Sequence, residues 1–579
     1  MTTTSKQPKK WYKRKRIWLA VVAVLLFYFC FVPSRTRFSY ETTGVVGHIP
    51  LTSSGEVDYF ALYEKTYIDK LSPPEENGQR LMIAALGPRV LEQGDLADLV
   101  AWEDMPTNEI SKKWFNERWI PLCEHLYIDP YRKPMFYEKR GYSSYMSQYF
   151  KEQEKNRDEN SAPNPNYVRD ESNALRKKLT AASWKREDVP EVGKWLDEYS
   201  EVLDYFGMSV RKPKFASLRW SVGKERFLFG LLLPDVQANR DFANSLSVRI
   251  SERVGRGDIE GAWYDVMSLK YLARHCMNDS VLTANMVGIG IDGVANASVK
   301  LILANCKPTE EQLAKFIRDL DSLPPTDAFA AGLVFEQLLL FQLLQTCHSK
   351  SFTEMFRNLK EHPKNLLEEC LVVAKLPFDM NIAGRRLKKI FDEIGLENFE
   401  KDKFLASHNP VLHRQFAERL EKVVTQIKDK NKNHLIFFHL PLMHTRSELV
   451  AEVIFLLGFP ATGNSFERNE AQNAMLRIAI MSERYNLANG KYPDKLEDLV
   501  PKYLDMVPID PSTGCTTFVY KLRDATKEPE PDTKQSTEPT TNKSPEPPKL
   551  PYILYSLGPN GKDDNGTAEF SNREFDFVF

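Results

Sequence analysis

The residues Ile17–Val32, IWLAVVAVLLFYFCFV, carry no charge, and they constrain this chain more than any other stretch. As a helix the run spans about 24 Å at ~1.5 Å per residue, a little short of a ~30 Å hydrocarbon core. Trp11, Tyr12 and Trp18 can occupy the headgroup layer and the flanking Lys and Arg can snorkel, so a short span is tolerated. Lys9, Lys10, Lys13, Arg14, Lys15 and Arg16 precede the run, and only Arg35 and Arg37 follow it closely. That asymmetry puts a basic tail, residues 1–16, in the cytoplasm and residues 33–579 on the far side of the membrane. A cleaved signal peptide would share these two regions. However, the run ends in bulky Phe27, Tyr28, Phe29 and Phe31, and no A-x-A site follows. A single-pass, uncleaved anchor at 17–32 is the favoured expectation.

At 579 residues the chain exceeds one ordinary core, so several domains are expected. Its formal net charge is −1, and the only dense basic cluster is the one beside the apolar run. That leaves no electrostatic footprint for nucleic acid. The seven cysteines are scattered with no C-x-x-C, which predicts free, mostly buried thiols and no disulfide framework.

Residues 33–150 read as a mixed membrane-proximal region rich in aromatics. Residues 151–178, KEQEKNRDENSAPNPNYVRDESNALRKK, are too polar to bury and read as a solvated linker or long loop. From 179 to 455 the chain reads as helices. Ile259, Ala262, Val266, Leu269 and Ala273 form one apolar stripe, and Arg256-Gly257-Asp258 before it reads as a helix-to-helix turn. Thr309-Glu-Glu-Gln312 is a capping box, with Leu313, Phe316, Ile317 and Leu320 on the following face. These features predict a helical hairpin array or bundle, with no fixed repeat period.

Residues 456–579 read differently. Ala474, Ile478, Met481, Tyr485 and Ala488 recur at helical spacing, and Asn489-Gly490 supplies a left-handed cap. Pro493 blocks continuation, and Asp494 with Glu497 predicts a new short helix. Pro501 closes that helix, and Pro508 and Pro511 then hold the chain extended. TTFVY (516–520) and YILYSL (552–557) are β-prone, so the Pro-, Thr-, Glu- and Lys-rich stretch 521–550 is read as a disordered insertion within a hairpin.

In order, Tyr485, Asn489, Gly490, Tyr492, Pro493, Leu496, Leu499, Pro501, Leu504, Pro508, Asp510, Pro511, Gly514, Ser556, Gly558, Gly561 and Asp576 carry a resemblance. The last ~110 residues resemble the globular domain of the major pseudopilin of type II secretion systems. The whole chain also resembles bacterial envelope proteins that carry this tail behind a large helical region. The resemblance implies an inner-membrane, largely periplasmic protein. It also implies a Ca²⁺ site in the loop after the last long strand, with Asp563, Asp564 and Asp576 as candidate ligands. Clustered carboxylates and free carbonyls suit that hard cation. The pattern's usual aspartate is replaced at Asn560, and the alternative reading of KDDNG is an ordinary solvated turn.

Other motifs read as structural. Gly288–Gly293 fits G-x-G-x-x-G but lies inside one small-residue helix, which favours close helix packing over a dinucleotide site. His434, His439 and His444, spaced by five, match no metal-pair spacing, and Cys347-His348 are adjacent only in sequence. The expected fold is mainly α, with an N-terminal transmembrane helix and a small α+β pseudopilin-like domain. The expected role is structural, with envelope protein partners. A hydrolase in the helical region and a direct secretion-system component are the alternatives.

Overall fold

A computed structural model describes residues 32–579 apart from 88–115, 156–165, 222–227, 347–377, 396–409, 433–442, 459–462, 524–548, 565–576 and a few isolated positions. The expected anchor at 17–32 therefore lies outside the described residues except for Val32. Cys347-His348, His434, His439 and most of the 521–550 insertion also lie outside them.

The chain is mainly helical, as its periodicities require. In order the helices are α1 (Tyr40–Thr43), α2 (Tyr59–Leu71), α3 (Gly78–Leu86), α4 (Ile120–His125), α5 (Tyr142–Lys155), α6 (Tyr167–Ala181), α7 (Pro190–Ser209) and α8 (Pro234–Gly255). There follow α9 (Ile259–Met277), α10 (Leu282–Asn305), α11 (Glu310–Asp321), α12 (Ala328–Thr346), α13 (Met380–Ile394), α14 (Pro410–Lys432), α15 (Met443–Gly458) and α16 (Gly463–Asn489). Strands β1 (Trp220–Ser221) and β2 (Leu231–Leu232) form a small antiparallel pair. Strands β3 (Val519–Leu522), β4 (Tyr552–Ser556) and β5 (Phe577–Val578) form an antiparallel sheet with β4 in the centre.

Helices α8, α9 and α10 fold back on one another, and α9 makes the most extensive helix-on-helix contacts among the described residues. Gly257 supplies the positive φ (+80°) of the turn between α8 and α9, and Asp258 caps α9 by accepting the Gly261 amide. The expected turn is therefore present. Its register is fixed by Arg249, buried in α8, whose guanidinium donates to both carboxylate oxygens of Asp265 at 2.6 and 2.9 Å. The capping box at Thr309–Gln312 also forms as expected, with Leu313, Phe316 and Leu320 buried beneath it.

The polar stretch 151–178 differs from its reading as a loop. Residues 151–155 end α5, and α6 covers 167–181. Its Glu, Lys, Arg, Leu and Ala are good helix formers, and a solvated helix needs only one shallow apolar side. In the C-terminal part the short helix Leu496–Leu499 is 3₁₀, and its cap is shifted by one residue from the expected pair. Asp498, not Glu497, accepts the amides of Asp494 and Lys495, at 3.0 and 3.1 Å. Gly490 closes α16 at φ +69°, donating to Asn486.

The buried apolar residues form one contiguous cluster that runs from Val45, through the helices, to Leu496, Leu499, Phe518, Tyr552 and Leu554 of the C-terminal part. Helix α16 joins the two regions. Its middle is buried nearly all round, through Ala471, Met475, Leu476, Ile478, Ala479 and Ile480, where the sequence periodicity predicts a single stripe. It packs against α10, α11 and α14 of the helical body and against β4 and β5 of the C-terminal sheet.

Candidate functional site

The helix α10 contains the Gly288–Gly293 motif, and the backbone there is helical throughout. A Cβ at Gly288 would meet the Met277 amide nitrogen at 2.7 Å, so this glycine serves close packing on α9. The aspartate inside the motif has a separate role. Lys270 of α9 lies fully buried and its ammonium donates to Asp292 Oδ1 at 2.8 Å, Asn296 Oδ1 at 2.6 Å and Asn473 Oδ1 at 2.8 Å. Asn473, on α16, closes the ring by donating from Nδ2 to Asp292 Oδ2 at 2.6 Å. All three ammonium protons are therefore used in a site with almost no exposure.

Burial pulls the Lys270 pKa down, with Asp292 opposing it. For Asp292, burial works against the charged form, yet the Lys270 and Arg274 cations and the donors around it hold the carboxyl below its ordinary range. Each group offsets the cost of burying the other. Such a pair contributes little net stability but penalises every arrangement that separates it. Here it specifies how α16 seats on α9 and α10. Rim contacts extend the seam, with Arg477 on Asp321 and Arg484 on Glu310, while Lys300 Nζ donates to the main-chain oxygen of Phe579 at 2.7 Å.

Three of the positions that carry the C-terminal resemblance, Asp510, Ser556 and Gly558, meet in a second knot. Asp510 is buried, and its Oδ1 accepts from the Ser512 amide and the Ser556 hydroxyl, both at 3.0 Å. Its Oδ2 accepts from the Leu557 amide at 3.1 Å, and the Gly558 amide donates to Ser556 Oγ. Burial raises the Asp510 pKa against these bonds. The proline-bracketed loop is thus tied to the end of β4 by one carboxylate. At the other end of β4, Tyr492 and Tyr520 each pack against the Tyr552 ring.

Of the three proposed Ca²⁺ ligands, Asp563 is engaged within the protein. Its Oδ1 accepts the Tyr555 hydroxyl at 2.7 Å, and Lys521 Nζ stands 3.4 Å from its Oδ2. A lysine ammonium therefore occupies one side of the carboxylate that a metal would need. Asp564 is described beside it, and Asp576 lies outside the described residues. Among the described residues no three His, Cys, Asp or Glu side chains gather closely enough to hold a metal ion. His444 is exposed and pairs with Glu448 at 3.6 Å. The described cysteines are free; Cys123 and Cys276 are buried as expected, and Cys515 is exposed.

A polar cavity of about 280 Å³ opens elsewhere on α9, lined by Arg211, Glu260, Tyr264, Tyr271, Lys315 and Asp319 among others. Its charges answer one another. Lys315 and the Trp263 indole both donate to Asp319, and the Arg211 guanidinium lies 4.0 Å over the Tyr264 ring. Glu336, raised by burial to about 8, and Glu470 and Glu483, each raised to about 7, do not line it. Comparison of the chain with protein-family models, with curated proteins and with solved structures returns no match.

Proposed function

We propose that this protein is a single-pass, membrane-anchored scaffold of the bacterial envelope, in which a pseudopilin-like C-terminal module is built permanently into a helical body. One observation carries the reading. The helix that begins the module, α16, is also a core helix of the body, clasped there through Asn473 to the buried Lys270–Asp292 pair. A pilin-type subunit that assembled by its own helix would have to withdraw that helix, leaving Lys270 and Asp292 without Asn473. The module instead serves as a fixed surface that the body presents to protein partners. A hydrolase in the helical region is the weaker reading, because Glu336, Glu470 and Glu483, which burial raises, do not line the cavity on α9.

The topology is tested by fusing alkaline phosphatase, active only outside the cytoplasm, after Phe579. The fusion is expected to be active and to stay with membranes after an alkaline carbonate wash. An inactive fusion, or one released by carbonate, overturns the anchored-envelope reading.

A further inference from the structure

The described chain starts at Val32, the last residue of the uncharged run, and its tertiary contacts follow at once. Ser34 donates its amide to Asp379 Oδ2 at 2.9 Å and its hydroxyl to the same oxygen. Asn381 donates from Nδ2 to Ser34 Oγ at 3.0 Å and to the Arg35 carbonyl at 2.9 Å, and its Oδ1 accepts the Arg37 amide at 2.6 Å. Asp379 is also the N-cap of α13. Its Oδ1 accepts the amides of Asn381 and Ile382, and its own amide donates to Ser447 Oγ of α15. One carboxylate therefore starts a helix with one oxygen and holds the post-anchor segment with the other.

The grip continues along the chain. Helix α1 crosses α13 at Gly384, where a Cβ would come within 2.7 Å of the Thr42 main-chain oxygen. Gly44, at φ +67°, passes against the Phe341 ring of α12, and the Tyr59 hydroxyl donates to the Thr43 carbonyl at 3.0 Å. Lys388 of α13 lies over the Tyr40 ring at 4.9 Å. Residues 34–44 are thus fixed to helices roughly 300 or more positions away in sequence, and nothing in this segment is built as a free stalk.

We propose that this clamp seats the body directly on a phospholipid surface, with the N-terminal ends of α13 and α15 at headgroup depth. The inference rests on reading residues 17–32 as a membrane span. Only Pro33 separates the apolar run from the clamp, and two residues reach at most about 7 Å. The headgroup layer on each side of the hydrocarbon is itself about 5–8 Å thick. Asp379 and Asn381 bond Ser34 directly, so at full reach they lie within about 10 Å of the hydrocarbon edge, at or just above the headgroups, with Ser447 one contact further. The side chains exposed at this end suit that position. Arg35 and Arg37 can reach phosphates, Phe38 is 44 % exposed, and His444 lies exposed in the first turn of α15. Residues 33–40 carry no acid that would repel an anionic headgroup.

The test uses the full chain reconstituted in vesicles of phosphatidylethanolamine and phosphatidylglycerol that carry a nitroxide-headgroup lipid. A coumarin amino acid replaces His444 in one preparation and Met506, exposed in the C-terminal module, in another. The label at 444 is expected to be quenched at least about twofold because it lies at headgroup depth, and the label at 506 to be unaffected. Asp379→Ala with Asn381→Ala should bring quenching at 444 down to the level at 506, while the chain still resists carbonate extraction. A second variant leaves the fold and the clamp intact, with roughly ten Gly/Ser residues inserted between Val32 and Pro33 as a flexible spacer. It should lose the quenching as well. A chain that resists carbonate but shows no quenching at 444 overturns the seating and leaves the anchor standing. Quenching that survives the spacer overturns the clamp's part in it. A chain released by carbonate overturns the anchor, and the seating with it.

Discussion

Replacing Lys270 by Met is the sharpest perturbation of the seam between body and module. Methionine keeps an unbranched chain of similar length, so the packing loss is small. The electrostatic loss is large. Asp292 remains buried with 0 % exposure, Asn473 Nδ2 becomes its one close donor of the clasp, and the Oδ1 atoms of Asn296 and Asn473 lose the ammonium. Removing one partner of a buried ion pair costs about 3–5 kcal/mol, whereas replacing both by apolar groups is near neutral. Lys270→Met should therefore lower the melting temperature of the full chain in detergent by roughly 2–4 °C, followed by circular dichroism. Lys270→Met combined with Asp292→Leu should recover at least half of that loss. The non-additivity is the diagnostic, because two independent core lesions would sum. If the single variant melts with the wild type, or the double variant loses the sum of both singles, the clasp does not hold the seam.

Three further outcomes follow from the same contacts. Glu336, Glu470 and Glu483 have folded pKa values raised by burial to about 8, 7 and 7, against about 4.3 in the unfolded chain, so each contributes stability below its unfolded pKa that is lost as pH rises through its folded one. The melting temperature should fall between about pH 5 and pH 8; a rise across that window contradicts the burial of these groups. Asp510→Ala strips the acceptor from the Ser512 and Leu557 amides and the Ser556 hydroxyl, and should cost about 2–4 kcal/mol in urea unfolding, with Asp510→Asn costing less. With Lys521 paired to Asp563, Ca²⁺ should move the melting temperature by less than about 1 °C, whereas a rise that grows with Ca²⁺ concentration would support the metal site that the pseudopilin resemblance implies.

Local chemistry was legible in the sequence, and the meeting of distant segments was not. The Thr309–Gln312 box, the Gly257–Asp258 turn and the Gly490 cap each depend on a few neighbouring residues, and each stands where its residues predict. The short helix at 496 came within one residue, because two acids in a row, Glu497 and Asp498, offer the same cap and only geometry chooses. The charged stretch 151–178 misled because solvation prevents burial but does not prevent helix. Lys270 and Asp292 look like ordinary polar positions on helices, and their burial arises only when α9, α10 and α16 converge. The same holds for Asp510 with Ser556, and for Ser34 with Asp379, 345 positions apart. The pattern around Asn489–Gly514 pointed to a module with its own helix and left out that the body shares that helix.

Hydrogen exchange of the full chain in nanodiscs tests that shared helix most directly. The clasped turns of α16, residues 471–482, should exchange as slowly as the α9 and α10 amides around Lys270 and Asp292, and should open with them in a single cooperative step. If the 471–482 amides and the β3–β4 pair instead exchange together at least tenfold faster than α9 and α10, the module is a separate, releasable unit and the built-in scaffold is contradicted.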